Sequence, residues 1–407
     1  MARENILSLF AAYGIELEYM IVDQNSLAPL PICNRVLSEL AGEKTMHISQ
    51  GEVAWSNELA LHIIELKANG PSSNLPALHR SFVSAIEGMN RFLQNYHAVL
   101  MPTAMHPFFS PEKDGLRLWA DEDALIYKTY DRIFGCKGHG WGNVQSTHLN
   151  LPFKGDEEFV RLHSAIRLIL PLLPALAASS PLVEGAAGPY ADSRLHYYLA
   201  NQRKISAIIG EGIPEAVSSK HDYEERILNP MYKAIAPFDP EGTLQHEWLN
   251  SRAAIARFER NAIEIRILDI QESPGGDMAL ISAIISVLKK LCATPHTELA
   301  QQQAISQESL VKILHGALHQ GLSYVIEDQT YRDALHTRGV SIGEILASWK
   351  PEEAVFQEIY AEMLARGSLA GEILRRTGPK PSRGEIVATY RELIACLGAD
   401  SLLTSLS

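Results

Sequence analysis

Two carboxylates stand close together in a segment with the alternation of a β-strand, and carboxylate oxygens are the ligands that hard cations prefer. In GIELEYMIVD, residues 14–23, Glu16 and Glu18 lie at positions i and i+2. On a strand both side chains therefore point to the same face, where they repel each other unless a cation or water lies between them. The segment predicts either a shared Mg²⁺ face or the solvent-facing side of a half-buried strand.

A second pair of carboxylates, Glu58 and Glu65, lies in NELALHIIELK. On a helix the two side chains would share a face two turns apart. On a regular strand they would point to opposite faces unless a bulge or a change of conformation intervened. Because glutamates at this spacing are common on exposed helices, the segment alone favours an exposed helix over a metal site.

A histidine, His148, lies in the strand-like segment QSTHLNLPF, where it shares a face with Ser146 and Asn150. A lone histidine on a strand is more often structural than a metal ligand. The glycine-rich run GCKGHGWG before it, residues 135–142, could bring backbone N–H groups close to a phosphate. However, the run leads into a strand and lacks the Gly-Lys-Ser/Thr ending, so it does not predict a P-loop.

A pair of opposite charges, Glu264 and Arg266, alternates with isoleucines in NAIEIRILD. The two side chains share the polar face of a strand whose other face carries Ile263, Ile265 and Ile267. If the polar face is buried, each charge needs a partner, which a cross-strand salt bridge would supply. An arginine beside a metal-binding glutamate also suits phosphoryl transfer, where Mg²⁺ and Arg or Lys neutralise the developing charge.

One sheet with an aliphatic back and an acidic, concave front would bring these segments together. The periodicity predicts strands over residues 15–22, 99–105, 144–153 and 261–270. It predicts helices over residues 77–96 and 156–178. From about residue 308 onward it predicts one helix after another, with a break at GPKPSRG, residues 378–384. SPGG ends the last strand, and Asp277 is predicted to cap the helix that follows. With no repeat or long linker, the chain predicts a single domain over 1–407, with the sheet and candidate site motifs over 14–272 and a helical C-terminal part over 277–407.

The bulk composition is that of a soluble globular protein. Of 407 residues, 46% are hydrophobic and 21% are charged, and the net charge of −12 disfavours a nucleic-acid or anionic-membrane partner. Four cysteines without CxxC spacing fit reduced thiols. In the N-terminal segment MARENILSLFAAYG the apolar stretch is too short for the h-region of a signal peptide with a cleavage site. The apolar segment 166–178 is interrupted by Arg167 and prolines. We therefore expect a cytoplasmic protein with no nucleic-acid or membrane partner.

Taken in order, the motifs resemble those of the glutamate–cysteine ligase family, in particular its bacterial carboxylate–amine ligase branch within the glutamine synthetase-like superfamily. The resemblance covers about residues 14–272. GIELEYMIVD resembles the family's opening GxExE strand, and ELALHIIELK resembles its segment with paired glutamates. PTAMHPF resembles its His-Pro-Phe segment, and QSTHLNL resembles its histidine-bearing strand. LAASSPLVEG, followed here by Asp192-Ser193-Arg194, resembles its Ser-Pro loop, and AIEIRILD resembles its Glu-x-Arg strand.

The resemblance implies an α+β, glutamine synthetase-like catalytic domain: a curved antiparallel sheet of about six strands forming a half-funnel, with helices outside it. It implies a reaction in which a carboxylate attacks the γ-phosphate of ATP and an amine then displaces phosphate from the acyl phosphate. Arg266 would contact phosphate or the substrate carboxylate, and Arg194 would be a second anion contact. The implied Mg²⁺ ligands are Glu16, Glu18, Glu58, Glu65, His148 and Glu264.

Two segments depart from the family pattern and leave the amino-acid substrates open. Ala104 and Met105 stand where Gly-Thr is expected, and IYKTYDRIFG lacks an Arg-Tyr pair. The resemblance implies first a glutamate–cysteine ligase whose product belongs to glutathione biosynthesis. A guanidino-kinase-like phosphotransferase is an alternative, although Cys136 is the only cysteine beside a motif that could serve as its reactive thiol. A non-catalytic binding protein is disfavoured because every candidate metal ligand is retained. The helices after residue 308 predict a structural cap or a homo-oligomer contact.

Overall fold

The computed structural model describes residues 6–119, 124–378 and 380–404. Residues 1–5, which begin the N-terminal stretch considered above, and Pro379 of the GPKPSRG break lie outside the described residues. The strands are β1 (Gly14–Asp23), β2 (His47–Gln50), β3 (Val53–Asn57), β4 (Ile63–Ala68), β5 (Ala98–Met101), β6 (Ser146–Pro152), β7 (Leu182–Val183), β8 (Ala186–Ala187), β9 (Ala254–Arg257) and β10 (Ala262–Asp269).

Helices surround these strands, and every element of the described chain after β10 is helical. They are α1 (Cys33–Ala41), α2 (Leu75–Leu93), α3 (Ala124–Phe134), α4 (His139–Gly142), α5 (Gly155–Ile169), α6 (Pro174–Ala177), α7 (Ser193–Ala200), α8 (Lys220–Tyr223), α9 (Asn229–Ile235), α10 (Pro274–Cys292), α11 (His296–Ala304), α12 (Gln307–Gln320), α13 (Gln329–Ala334), α14 (Ile342–Ala347), α15 (Ala354–Arg366), α16 (Leu369–Thr377) and α17 (Arg383–Ala399).

Eight strands form one antiparallel sheet in the order β2-β3-β4-β1-β6-β10-β9, with β5 pairing the C-terminal half of β1. β7 and β8 form a separate small hairpin. The expected α+β class, antiparallel sheet and helical C-terminal part are confirmed, but the sheet has more strands than the expected six. The additional strands include β2 and β9, each only four residues long, which is too short for alternation to be recognised in the sequence.

The central strand β1 separates the two sides of the sheet, as its alternation predicts. Ile15, Leu17 and Tyr19 are fully buried in the main core, which α2, α5 and α10 cover on the back. Each aliphatic or aromatic side chain buried there contributes about 1.5–3 kcal/mol to folding. Glu16 and Glu18 point to the opposite, front face, where the sheet is not covered by these helices.

The last two helices cover a different part of the same front face. Met20 and Val22, the next front-facing residues of β1, pack in a second apolar cluster with Leu369 and Ile373 of α16 and Tyr390 of α17. One half of the face is therefore polar and open, and the other half is apolar core. This packing gives the C-terminal helices a structural role as a cap, one of the two roles expected for them.

The segment after β5 turns instead of continuing as a strand to residue 105. β5 ends at Met101, and the histidine of the His-Pro-Phe motif stabilises the turn that follows. Nε2 of His106 donates to the carbonyl of Leu27 at 2.6 Å, and Nδ1 accepts from the backbone N–H groups of Phe108 and Phe109 at 3.1 and 2.9 Å. His106 is therefore structural, and burial lowers its pKa to about 4.

Two helix predictions differ from the structure, one in the continuity of the helix and the other in its N-cap. The helix expected over 156–178 is divided into α5 and α6, because prolines at 171 and 174 cannot continue the backbone hydrogen bonding. The prediction that Asp277 caps α10 is wrong. Ser273 is the N-cap, and its side chain accepts from the N–H of Gly276.

No single helix among the described residues is long and apolar enough to cross a membrane. Helices α10 and α11 reach that length and composition only as a pair bent by 117°, and nearly all of α10 is buried inside the protein.

Candidate active site

The open half of the front face is the floor of a cavity of about 540 Å³. Every side chain expected at the site lines this one cavity, including both expected anion contacts. The expected residues in its wall are Glu16, Glu18, Glu58, Glu65, His148, Arg194, Glu264 and Arg266.

Strand register places one row of charged side chains across β4, β1 and β6. Glu16 pairs with Lys67 on one side and with His148 on the other, and paired residues of antiparallel strands share a face. Oε2 of Glu16 lies 3.0 Å from Nδ1 of His148, and Oε1 accepts from Nδ2 of Asn150 at 3.0 Å. Burial raises the pKa of Glu16, but the hydrogen bond and charge of His148 lower it below its usual range.

The His148 ring is surrounded by carboxylates. Nε2 lies 3.8 Å from Oε1 of Glu18, and Nδ1 lies 4.0 Å from Oε1 of Glu264. Burial lowers the pKa of His148, but the hydrogen bond to Glu16 and the charges of Glu18, Glu16 and Glu264 outweigh it and raise the pKa to about 9. This point in the cavity therefore favours a cation, because three carboxylates converge on it.

A second row of polar side chains crosses β3, β4 and β1. Glu65 pairs with Ser56 and with Glu18, and it accepts hydrogen bonds from Ser56 Oγ and Lys67 Nζ. Oε2 of Glu18 accepts from the backbone N–H and the hydroxyl of Ser146 at 2.7 and 3.0 Å. Burial and then the charge of the neighbouring Glu16 raise the pKa of Glu65 to about 7, although Lys67 opposes the shift.

Glu58 reaches the cavity from the loop that joins β3 and β4. The interpretation of Glu58 and Glu65 as partners on an exposed helix is wrong, because the two lie on a β-hairpin whose reversal brings them to one side of the sheet. The helical periodicity matched by chance a loop followed by a strand. Burial, and then the charges of Glu18 and Glu65, raise the pKa of Glu58 well above its usual range.

β10 carries its site residues beside a β-bulge. Ile265 pairs with Leu149 and Leu268 pairs with Thr147, so two residues of β10, Arg266 and its neighbour, lie opposite His148. Bulges of this kind re-aim side chains and are frequent next to active sites.

The expected Glu264–Arg266 pair forms a direct salt bridge inside this strand. Nε of Arg266 donates to Oε1 of Glu264 at 2.9 Å, and Nη1 of Arg257, from the neighbouring strand β9, donates to Oε2 at 3.3 Å. Glu264 is only 2% exposed. Burial raises its pKa, but the charge of Arg266 lowers it, so Glu264 is an ionised carboxylate held between two guanidinium groups.

The glycine-rich run 135–142 contributes to the cavity wall. It does not lead directly into a strand, because its last four residues form the short helix α4. Gly140 lines the cavity beside Asn201, and a Cβ at this position would lie 2.1 Å from Oδ1 of Asn201. Only glycine fits here. Phosphate binding by this run stays a prediction.

Arg194 lies in the first turn of α7 with one edge of its guanidinium group already paired. Nε donates to Oδ1 of Asp269, and Nη2 donates to the carbonyl oxygen of Ile267. Burial lowers the pKa of Arg194, but the charges of Asp269 and Asp192 raise it. The role of Arg194 as an anion contact stays a prediction.

Several cavity residues were not identified from the sequence. Four aromatic side chains, Tyr127, Tyr130, Trp141 and Trp248, line the cavity and are called the aromatic wall below. The ring centroid of Tyr130 lies 5.4 Å from that of Trp141 and 6.1 Å from that of Trp248. Two of its rings come from IYKTYDRIFG, the segment that departs from the family pattern. Lys67 could have been identified, because it lies two residues after Glu65 and strand alternation puts both on one face. Arg257 and the aromatic wall come from elements that carry no predicted site residue beside them, so no such signal was available. The additional residues are Lys67, Tyr127, Tyr130, Trp141, Tyr198, Trp248, Arg257 and Arg260.

The donor set of the cavity fits a magnesium ion. Among the described residues, no three His, Cys, Asp or Glu side chains are already arranged around a common metal position. Instead the carboxylates use His148, Lys67 and Arg266 as partners. Carboxylate oxygens are nevertheless the ligands that Mg²⁺ prefers. The raised pKa values of Glu58 and Glu65 arise in part from neighbouring negative charge that a divalent cation would offset.

Comparison with protein families identifies the chain's relatives. The family model of glutamate-cysteine ligase family 2 (GCS2) matches residues 12–392, which include every site residue described above. The chain belongs to this family. The match extends well beyond residue 272, through α16 and into α17, the two helices that cap the front face.

Individual proteins are also similar to this chain. An uncharacterized protein of Archaeoglobus fulgidus is 32% identical over 388 residues, covering 94% of this chain and 98% of the relative. A protein of Rubrobacter xylanophilus with the provisional name glutamate–cysteine ligase 2-3 is 26% identical, and the match spans only 53% of each chain. A bifunctional glutathione synthetase from Pasteurella multocida has a similar fold, with a TM-score of 0.59 and 15% identity, and the similarity covers 96% of this chain but 52% of that one.

Membership of glutamate-cysteine ligase family 2 supports an ATP-dependent carboxylate–amine ligase as the class of enzyme. The cysteine that the kinase alternative requires is not available as a nucleophile. Cys136 is fully buried, and burial raises the pKa of its thiol to about 12, whereas reactive cysteines have a lowered pKa and access to solvent.

Proposed function

We propose that the protein is an ATP-dependent ligase that joins a small amino-acid-like acid to an amine through an acyl phosphate. The observation that supports it most is the convergence of carboxylates with His148, Lys67 and Arg266 in one cavity of a glutamate-cysteine ligase family 2 domain. Glutamate is the first candidate acid and cysteine the first candidate amine, which would place the product in glutathione biosynthesis in the cytoplasm. A homo-oligomer is not required by this proposal.

The charges of the cavity suit the two anions that must meet there. A carboxylate and a triphosphate repel each other, so catalysis depends on positive groups placed between them. Arg266, Lys67 and Arg257 line the floor, and Arg194 lies at its edge. Mg²⁺ would be held by Glu16, Glu18, Glu58, Glu65, His148 and Glu264, and it would neutralise phosphate charge.

The residues then have separate tasks in the two steps. In the first step, an oxygen of the acid attacks the γ-phosphorus, the bond to the β-phosphate oxygen breaks, and ADP leaves. Arg266, fixed by Glu264, is placed to contact the phosphate or the acid. In the second step, the amine nitrogen attacks the acyl carbon, phosphate leaves, and the amine gives up one proton to solvent. The aromatic wall would limit the access of water to the acyl phosphate, which water would otherwise hydrolyse.

A phosphotransferase that stops after the first step is the second candidate. It shares the cavity and ATP, and it differs in having no need for an amine. Cys136, the one cysteine beside a motif, is fully buried, which argues further against a phosphotransferase that uses a reactive thiol.

The test measures ADP release from MgATP with glutamate and a panel of amino acids and amines, and identifies the product by mass spectrometry. We expect ADP only when acid and amine are both present, together with an amide. ADP with a stable phosphorylated acid and no amine requirement would instead establish the phosphotransferase. The matched control is Glu264→Gln, which should bring ADP release to the level of a reaction without enzyme.

A further inference from the structure

The buried ion pair between Arg194 and Asp269 connects the Ser-Pro loop, the start of α7 and the end of β10. Asp269 is fully buried, and Arg194 is 2% exposed. Oδ1 of Asp269 accepts from Nε of Arg194, while Oδ2 accepts from the N–H of Ser179 at 2.8 Å and from the hydroxyl of Ser180 at 2.7 Å. The hydroxyl of Ser180 also accepts from the backbone N–H of Arg194 at 3.0 Å.

The β-bulge is what brings Asp269 to the cavity side of the sheet. In strict alternation Asp269 would share the back face with Ile263 and Ile265. After the register shift it pairs with Ser146, a residue that lines the cavity, and paired residues share a face. A carboxylate that the sequence assigns to the aliphatic side therefore lies on the front, where it contacts Arg194.

The contacts of Arg194 leave one nitrogen of its guanidinium group for a ligand. Nε is bound by Asp269 and Nη2 by the carbonyl of Ile267. Within the described part of the chain Nη1 makes no hydrogen bond, and Arg194 lines the cavity beside Glu18. A guanidinium group held on two nitrogens has little rotational freedom left, so a ligand contact at the third loses less entropy.

We propose that Asp269 is a positioning residue, which fixes Arg194 so that its Nη1 donates to an anionic group of a substrate in the cavity. The anion is either the carboxylate of the acid or a phosphate of ATP, since both match the guanidinium donors. This inference rests on the proposed function. Asp269 itself does not contact the substrate, and it acts only by orienting Arg194.

The test compares Asp269→Asn, Arg194→Ala and the double variant in a double-mutant cycle. Asp269→Asn preserves size and removes the charge that orients Nε. We expect it to raise KM for one anionic substrate about ten- to a hundredfold, the size of a charge-assisted hydrogen bond, with a smaller change in kcat. In the Arg194→Ala background the same substitution should change KM by less than about twofold, because its target is gone.

The arms of the experiment separate the two anions. A rise confined to KM for the acid assigns Nη1 to the carboxylate, and a rise confined to KM for MgATP assigns it to phosphate. If the effects of the two substitutions multiply, or if only the melting temperature falls while both KM values stay unchanged, the positioning role is overturned. Ser180→Ala, which removes one hydrogen bond to Asp269, supplies a milder variant if Asp269→Asn does not fold.

Glu272→Gln is the matched control. Glu272 is fully buried and pairs with Arg366 of α15, and neither residue lines the cavity. It should lower the melting temperature and leave both KM values unchanged.

Failure of the proposed function can be distinguished from failure of this inference. If wild-type enzyme releases no ADP, titration calorimetry with MgATP and with glutamate still measures the two dissociation constants. Asp269→Asn and Arg194→Ala should then weaken the same ligand, non-additively. Binding of neither ligand to the wild type would overturn both proposals.

Discussion

Glu16 and His148 face each other across the β1–β6 pair, with 3.0 Å between Oε2 of Glu16 and Nδ1 of His148. Each belongs to a different sequence motif, separated by more than a hundred residues, and antiparallel register makes them direct neighbours. The pair lies at the centre of the carboxylates on the cavity floor. The contact brings two motifs, each ambiguous alone, to one point of the same cavity.

Glu264→Gln is expected to lower turnover by at least about a hundredfold, a loss typical of removing one group that organises transition-state charge. The ionised carboxylate holds Arg266 and Arg257, and the neutral amide cannot accept as strongly from both. Steady-state ADP release measures the effect, with circular dichroism to verify folding. Glu259→Gln is the control, since Glu259 also pairs with Arg257 but is 54% exposed. Equal losses in the two variants would contradict a special role for Glu264.

Arg266→Lys is expected to reduce kcat/KM severely, although the charge is preserved. Arg266 uses two nitrogens, Nε and Nη2, on the same oxygen of Glu264, and a lysine ammonium cannot reproduce this fork and also contact a substrate anion. Arg260→Lys, at a position that is 59% exposed at the edge of the same cavity, should be nearly silent. Wild-type kinetics in Arg266→Lys would remove Arg266 from the site.

His163→Phe is expected to stabilise the protein. His163 is 2% exposed, neither ring nitrogen has a partner among the described residues, and the ring packs 5.6 Å from Phe159 and 5.7 Å from Tyr223. Removing two unsatisfied polar atoms while keeping an aromatic ring should raise the free energy of unfolding by about 1–3 kcal/mol. Chemical denaturation at pH 7.5 measures it. His106→Phe provides the contrast. Both ring nitrogens of His106 form hydrogen bonds, so this substitution should lower the free energy of unfolding.

The same substitution should reduce acid sensitivity. Burial, and then the charge of Arg167, lower the pKa of His163 from 6.5 to about 3. Between these two pKa values the unfolded chain binds more protons at His163 than the folded protein does. The folded protein therefore loses no stability through this group above pH 6.5, and it loses stability progressively as the pH falls from 6.5 toward 3. Between pH 6.5 and 5 the loss amounts to about 2 kcal/mol. The difference in unfolding free energy between pH 7.5 and 5 should be smaller by that amount in His163→Phe. An unchanged difference would show that His163 is not buried in its neutral form.

Ser273→Ala is expected to lower the free energy of unfolding by about 1 kcal/mol, because it removes the N-cap of α10. Asp277→Asn should have the smaller effect. Asp277 accepts from Thr147 and from the N–H of Gln271, and burial raises its pKa well above the usual range, so a neutral amide suits the position. Denaturant unfolding of both variants gives the order, and the reverse order would return the cap to Asp277.

Alternation of side chains was enough to predict the parts of the site that lie on regular strands. Glu16 and Glu18 on β1, and Glu264 and Arg266 on β10, lie on the face that their spacing indicates. These predictions succeeded because a strand repeats every two residues and the opposite face is continuously aliphatic. The same reasoning predicted the boundaries of β1 and β10 to within about one residue.

Residues placed by irregular backbone or by distant elements could not be predicted in this way. A bulge inverts the phase after Arg266, so Asp269 appears in the sequence as part of the aliphatic side. Glu58 and Glu65 have a helical spacing by coincidence, because a loop separates them. Arg257 and the aromatic wall reach the cavity from other strands and helices, and periodicity within one segment carries no information about such contacts.

The cap formed by α16 and α17 has a consequence for the order in which the parts of the protein fold. β1 precedes α16 and α17 by most of the length of the sequence, so Met20 and Val22 cannot be buried in this cluster until those helices have been synthesised. Contacts between segments that lie far apart in the sequence form slowly, and apolar strands that stay exposed in the meantime are prone to aggregate. The apolar half of the front face is therefore buried only when β1 and these two helices have folded against each other, and until then it is the part of the sheet that is exposed to aggregation.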